Sequence, residues 1–192
     1  KGNRRNFMNV IDIYSDIGES MFGESVSAND VKAQLEGMSG DVTVRINSGG
    51  GSVFDGFAIY NLLDQYEGAV NVKIDALAAS AASVIAMAGD TIEMADNALM
   101  MIHDPWTVAV GDSNDMKKTA ELLDKIRDSI VTTYQSKSKL SASDIGAMMK
   151  SETWFSAAEA IENGFATGTS GQNAEFNNKL NKPWMNKAPK VE

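Results

Sequence analysis

Apolar and polar positions alternate along this chain with two periods, and the period changes several times. Val10 to Tyr14 is a short apolar-rich run that predicts a first strand. Ser27-Ala-Asn-Asp30 carries the pattern of a capping box and predicts a short helix running to about Glu36, broken by Gly37 and Gly40. Val42, Val44 and Ile46 alternate with Thr43 and Arg45, as a half-buried strand requires. Phe54 to Gln65 reads as a helix with Phe54, Phe57, Ala58 and Leu62 on one face. Val70 to Asp75 reads as a strand, and the small apolar run Ala78 to Ala88 as a buried helix stopped by Gly89-Asp90. Thr91 to Met94 and Leu99 to Ile102 are two further strands.

The longest periodic segment is Asp115 to Tyr134. Met116, Ala120, Leu123, Ile126, Ile130 and Tyr134 form an apolar stripe at helical spacing. A short helix follows over Ser141 to Met149, with Ser141 and Asp144 at its start. Ser156-Ala-Ala-Glu159 opens another, which ends at Asn163-Gly164. Strands alternating with helices predict an α/β domain over residues 1–170. From about Gly171 the chain is rich in Asn and Lys, so 171–192 is expected to be a polar tail of low order.

Composition narrows the chemistry. At 192 residues the chain suits one domain with a sizeable core. Its net charge of -9 offers no electrostatic footprint for nucleic acid. With no cysteine and one histidine, disulfides, thiolate catalysis and Cys-based zinc sites are excluded, and no metal or cofactor is expected. No apolar run approaches the roughly 20 residues a membrane span needs, and the basic start, Lys1 to Asn9, has no apolar stretch behind it. The expected location is the cytoplasm. The 11 methionines are read as core filler.

Three places could carry a reaction. His103 lies in Ile102-His-Asp-Pro105, where a strand gives way to a loop; a lone histidine there is a base or simply a solvated side chain. Ser80 sits in Ala78-Ala-Ser-Ala-Ala-Ser83 at a helix start, where unpaired amides favour a developing oxyanion; it is a nucleophile or a cap, and Ser83 is the alternative hydroxyl. Asn47-Ser-Gly-Gly-Gly-Ser52 lies between a strand and a helix. It lacks the Lys-Ser/Thr of a Walker loop and the G-x-G-x-x-G spacing, so an oxyanion hole or a peptide-docking edge explains its glycines better than a phosphate does.

In this order and spacing, four stretches resemble the Clp protease proteolytic subunit (ClpP) family and its phage and prophage head-maturation relatives. Ile46-Asn-Ser-Gly-Gly-Gly-Ser-Val53 resembles Ile-Asn-Ser-Pro-Gly-Gly, and Gly56-Phe-Ala-Ile-Tyr60 resembles Gly-Met-x-Ile-Tyr. Ala78-Ala-Ser80 matches the nucleophile segment, and Met101-Ile-His-Asp-Pro105 resembles Met-Ile-His-Gln-Pro. The resemblance covers about Val42 to Thr167. It implies a ClpP/crotonase-like spiral of βαβ units with a protruding handle helix at Asp115 to Tyr134.

The resemblance also assigns roles. Ser80 falls on the nucleophile and His103 on the base, with the Gly51 and Ala81 amides as oxyanion donors. Gly50, Ser52 and Val53 fall on the edge where an extended peptide docks. Glu152, in Glu152-Thr-Trp-Phe-Ser156, stands where the family has its aspartate. Asp104 replaces the family's glutamine. The implied protein is a serine endopeptidase in heptameric rings, acting on polypeptides fed by an AAA+ unfoldase or on phage capsid or scaffold protein. The Gly-Gly-Gly turn and Glu152 lean toward the phage branch. The alternatives from other classes are an inactive scaffold and a crotonase-like acyl-CoA enzyme.

Overall fold

The computed structural model describes residues 9–19 and 23–170; the expected polar tail over 171–192 and most of the basic start lie outside them. Nine strands and six helices are present among the described residues: β1 (Asn9–Ile13), β2 (Asp16–Ile17), β3 (Ser25–Val26), α1 (Ala28–Leu35), β4 (Val42–Ser48), α2 (Val53–Asp64), β5 (Val70–Ala79), α3 (Ala81–Ala86), β6 (Thr91–Met94), β7 (Leu99–Ile102), α4 (Ser113–Gln135), α5 (Ala142–Lys150), β8 (Thr153–Ser156), α6 (Ala157–Asn163) and β9 (Gly168–Thr169).

The fold is α/β. β1, β4, β5, β6 and β9 run parallel in that order, joined by helical crossovers. The inward positions of β4 (Val42, Val44, Ile46) and of β5 (Val70, Val72, Ile74) are all nearly or fully buried, which is why these strands carry branched apolar residues. The ends of the helices follow their capping chemistry. Ser27 and Asp30 close a reciprocal capping box on α1, and Ser156 and Glu159 do the same for α6, which stops at left-handed Gly164.

One element decides where the chemistry can sit. The first part of β5 pairs with β6 (Asn71 to Ile74), and its last residues, Leu77 to Ala79, pair with β7 instead. The register against β4 slips between Ile46 and Ser48, a bulge that lets β5 bend from one neighbour to the other. The strand therefore runs on through Ala78 and Ala79. The helix expected from Ala78 begins only at Ala81, because the ladder to β7 claims the first two alanines. β8, which the periodicity did not reveal, adds antiparallel to β7.

Two apolar faces also differ from expectation. α2 buries Gly56, Ile59 and Leu63, while Phe54 is 61% exposed. A Cβ at Gly56 would stand 3.1 Å from the Ala81 Cβ, so the helix turns its smallest residue toward α3. On α4 the stripe is buried only from Ile126 onward; Met116 and Leu122 are exposed, so the first half of the helix stands clear of the core. No helix among the described residues is long and apolar enough to cross a membrane.

Candidate active site

Ser80 occupies the single residue between β5 and α3. Its φ of 56° and ψ of -126° put a non-glycine residue at positive φ, in the kind of sharp strand-to-helix turn that projects a side chain out of the backbone. The turn is held by the neighbouring strand end, where the Ser80 amide donates to Met101 O at 3.0 Å. His103 follows β7, one residue past its end. Because β7 lies beside the last residues of β5, His103 reaches back across the gap, and its Nε2 lies 2.8 Å from Ser80 Oγ.

The glycine turn comes from the other side. Ile17 N donates to Gly50 O (2.9 Å) and Ser52 N donates to Ile17 O (2.8 Å), so the turn is clamped to β2 on both sides of Gly51. In that pairing the Gly51 amide points away from Ile17. The Gly50 amide is already committed to Ser48 Oγ at 3.1 Å. Among the described residues, neither the Gly51 nor the Ala81 amide has an acceptor. A Cβ on Gly50 would stand 2.7 Å from Ser80 Cβ and 3.1 Å from Ala81 N, which measures how closely the turn approaches the serine. Gly50 and Gly51 hold φ values of 101° and 146° that side chains rarely adopt. Ser52 caps α2 through the Asp55 amide, and Val53 begins the helix.

These groups open onto one cavity of about 680 Å³. Its walls are mainly apolar, with Val53, Val84, Met101, Trp106, Leu123 and Ile126 among them, and Ser80, His103, Gly51 and Ser52 also line it. Among the described residues there is no group of three or more His, Asp or Glu side chains that could hold a metal ion.

The sequence-derived acid is arranged differently. Continued one residue, the β7–β8 register sets Glu152 opposite His103, but the Glu152 carboxylate accepts from Trp154 Nε1 at 3.3 Å, and no hydrogen bond joins it to His103. Its own φ is 50°, strained for a residue with a side chain. Asp104 is not a second acid for His103 either. It forms an ion pair with Arg127 of α4 at 2.9 Å, and its amide donates to Met149 O. Arg127 fits because it crosses α5 at Gly146, where a Cβ would collide with Nη2. Nothing in the local sequence marked Arg127. Thr-Trp-Phe, a run of strand formers, was the available signal for β8.

Ser83 and Ser80 separate clearly. Ser83 is fully buried and bonded to Ser80 O, Met101 O and the Tyr134 hydroxyl, whereas Ser80 Oγ faces the histidine and the cavity.

The comparisons with known proteins agree with one another. The Clp protease family model matches residues 7–170. The ATP-dependent Clp protease proteolytic subunit of Bacteroides fragilis is 30% identical over 148 residues, covering 73% of this chain and 72% of the relative. Its counterpart in Streptococcus pneumoniae is 32% identical over 151 residues, 74% and 77% of the two chains. That of Leuconostoc citreum is 29% identical over 163 residues, 83% and 81%. With a family model spanning most of its length and an α/β core of the matching kind, this chain belongs to the Clp protease family of serine peptidases.

Proposed function

We propose that the chain hydrolyses peptide bonds with Ser80 as nucleophile and His103 as general base. The observation that carries this reading is the 2.8 Å contact between Ser80 Oγ and His103 Nε2, beside two amides without acceptors among the described residues. His103 takes the serine proton as Oγ attacks the scissile carbonyl, then hands it to the leaving amine. Water releases the acyl group by the reverse sequence. The Gly51 and Ala81 amides hold the oxyanion, a contact type worth about 3–4 kcal/mol per donor in a dry site. Glu152 orients His103 after rotating from Trp154, a short move between cross-strand neighbours about 5 Å apart. Val53 lines the edge where an extended substrate adds as a strand, and Gly50 and Ser52, whose backbone groups bond Ile17 and Ser48 from the other side, hold that edge in place. The apolar cavity receives a large apolar side chain next to the cleaved bond.

The substrates are polypeptides, and no cofactor is needed. Unfolded chains delivered by an AAA+ ATPase are the favoured source, because the relatives are named ATP-dependent proteolytic subunits. Phage capsid or scaffold protein is the second source, resting on the Gly-Gly-Gly turn and Glu152. The site works in the cytoplasm inside a ring-shaped homo-oligomer, supported by the exposed apolar positions on the first half of α4 and the strongly exposed Trp106, Val108 and Val110 before it.

A fluorophosphonate probe tests the chemistry. Mass spectrometry is expected to find the adduct on Ser80 and to lose it in His103→Ala. Labelling at another residue, or none in the assembled protein, refutes the proposal.

A further inference from the structure

Ser83 is the buried hydroxyl that the proposed reaction does not use. Its Oγ lies 2.6 Å from Ser80 O, 3.0 Å from Met101 O and 2.8 Å from the Tyr134 hydroxyl. A serine hydroxyl has one proton, and both carbonyls only accept. One assignment serves every group. Ser83 donates to the carbonyl, most closely that of Ser80, and Tyr134 donates to Ser83. The reverse direction would leave the tyrosine proton without an acceptor in a site where Tyr134 is 1% exposed.

The bonded carbonyl belongs to the strained residue. A backbone at positive φ persists only where its surroundings over-determine it. Ser80 is gripped at its amide by Met101 O and at its carbonyl by the Ser83 amide (3.0 Å) and the Ser83 hydroxyl. Tyr134 in turn is fixed edge-on against Phe165, with ring centroids 5.6 Å apart. The side-chain grip on the serine turn thus originates on α4, at Tyr134, 51 residues beyond Ser83.

We propose that Ser83 and Tyr134 are positioning residues for Ser80: the chain from Tyr134 through Ser83 to the Ser80 carbonyl holds the turn so that Oγ meets His103. This rests on reading Ser80 as the nucleophile.

The test uses the full chain and the variants Ser83→Ala, Tyr134→Phe, their double, and Ser80→Ala as reference. Three quantities are read: the unfolding midpoint, the rate of fluorophosphonate labelling at Ser80, and the imidazole ¹⁵N spectrum. His103 is the only histidine, so its signal is unambiguous. Ser83→Ala strands the Tyr134 hydroxyl and lowers the midpoint. The double variant recovers much of it, because both polar partners are gone and both carbonyls keep amide donors. Labelling nevertheless stays about 10-fold or more below wild type in the double, since misplacing a reacting atom by a fraction of an ångström is costly. For a peptide substrate the loss falls on kcat and leaves KM unchanged. The Nε2 signal moves toward that of Ser80→Ala. Labelling that recovers together with the midpoint, or an Nε2 signal that stays at the wild-type position in the double, overturns the proposal. If wild type takes no label while its Nε2 signal differs from that of Ser80→Ala and moves in the double, the peptidase reading falls and the clamp stands.

Discussion

Replacing Gly50 by alanine should disable the site while its neighbour Gly49 tolerates the same change. At Gly50 the new Cβ would meet Ser80 Cβ at 2.7 Å, Ala79 O at 2.8 Å and Ala81 N at 3.1 Å. Carbon atoms pack best at roughly 3.5–4.0 Å, so the first contact is short by about 1 Å. Two of the three atoms are backbone and cannot rotate aside. The φ of 101° adds strain of about 1–3 kcal/mol for a residue with a side chain. Overpacking adds a further ~1–3 kcal/mol. A domain stable by roughly 5–15 kcal/mol carries that load but moves to relieve it. The relief separates the glycine turn from the Ser80 turn, the two elements that supply the Gly51 and Ala81 amides. A displacement near 1 Å between reacting groups costs about 100-fold in rate. Gly49 has nothing within 4 Å of its would-be Cβ and no positive φ, so Gly49→Ala serves as the matched control. The assay is the rate of fluorophosphonate labelling at Ser80, measured where urea titration shows each variant folded. Folded Gly50→Ala reacting at the wild-type rate would refute the reasoning, because the turn would then have no part in setting the site.

Other perturbations bear on separate parts of the argument. Arg127→Gln removes the partner of Asp104. Both side chains are about one-third exposed (33% and 37%), so stability should fall by only about 0.5–1 kcal/mol in a denaturant titration, while labelling slows because the residue after His103 loses its tether. Glu152→Gln should lower kcat for a peptide if the carboxylate turns to His103, and an unchanged kcat would remove Glu152 from the mechanism. Phe165→Ala deletes a fully buried ring packed against Tyr134 and Phe155 and should cost about 3–5 kcal/mol, read from the urea midpoint. Hydrogen bonds from the Ser156 side chain and amide hold the Glu159 carboxyl below its ordinary range, and Ser27 does the same for Asp30. Since these folded values are depressed, the stabilisation is present above the unfolded value and is lost as pH falls through the folded one. Protection of the amides at the starts of α6 and α1, taken relative to their intrinsic exchange at each pH, should fall across that acidic window and stay level at neutral pH.

Local pattern made much of this protein legible. The alternation in Val42 to Ile46 and the caps at Ser27 and Ser156 are short-range effects, written in neighbouring residues and formed as expected. The residues alone left Ser80 and His103 open; it was the resemblance to the Clp protease family, carried in part by Ala-Ala-Ser and Met-Ile-His-Asp-Pro, that paired them. Local pattern could not say where β5 ends, because Ala78 and Ala79 suit a strand and a helix equally until β7 pairs with them. Nor could it distinguish the two hydroxyls by their surroundings. Ser80 faces a histidine 23 residues away, and Ser83 faces a tyrosine 51 residues away. The same holds for Asp104, whose partner on α4 reaches it across Gly146, and for Glu152, whose carboxylate settles on an indole two residues along. Which segments would be strand or helix was mostly a matter of neighbouring side chains. Which hydroxyl met the imidazole was decided by strand order and a bulge, since only the packed sheet brings such distant residues within hydrogen-bond reach.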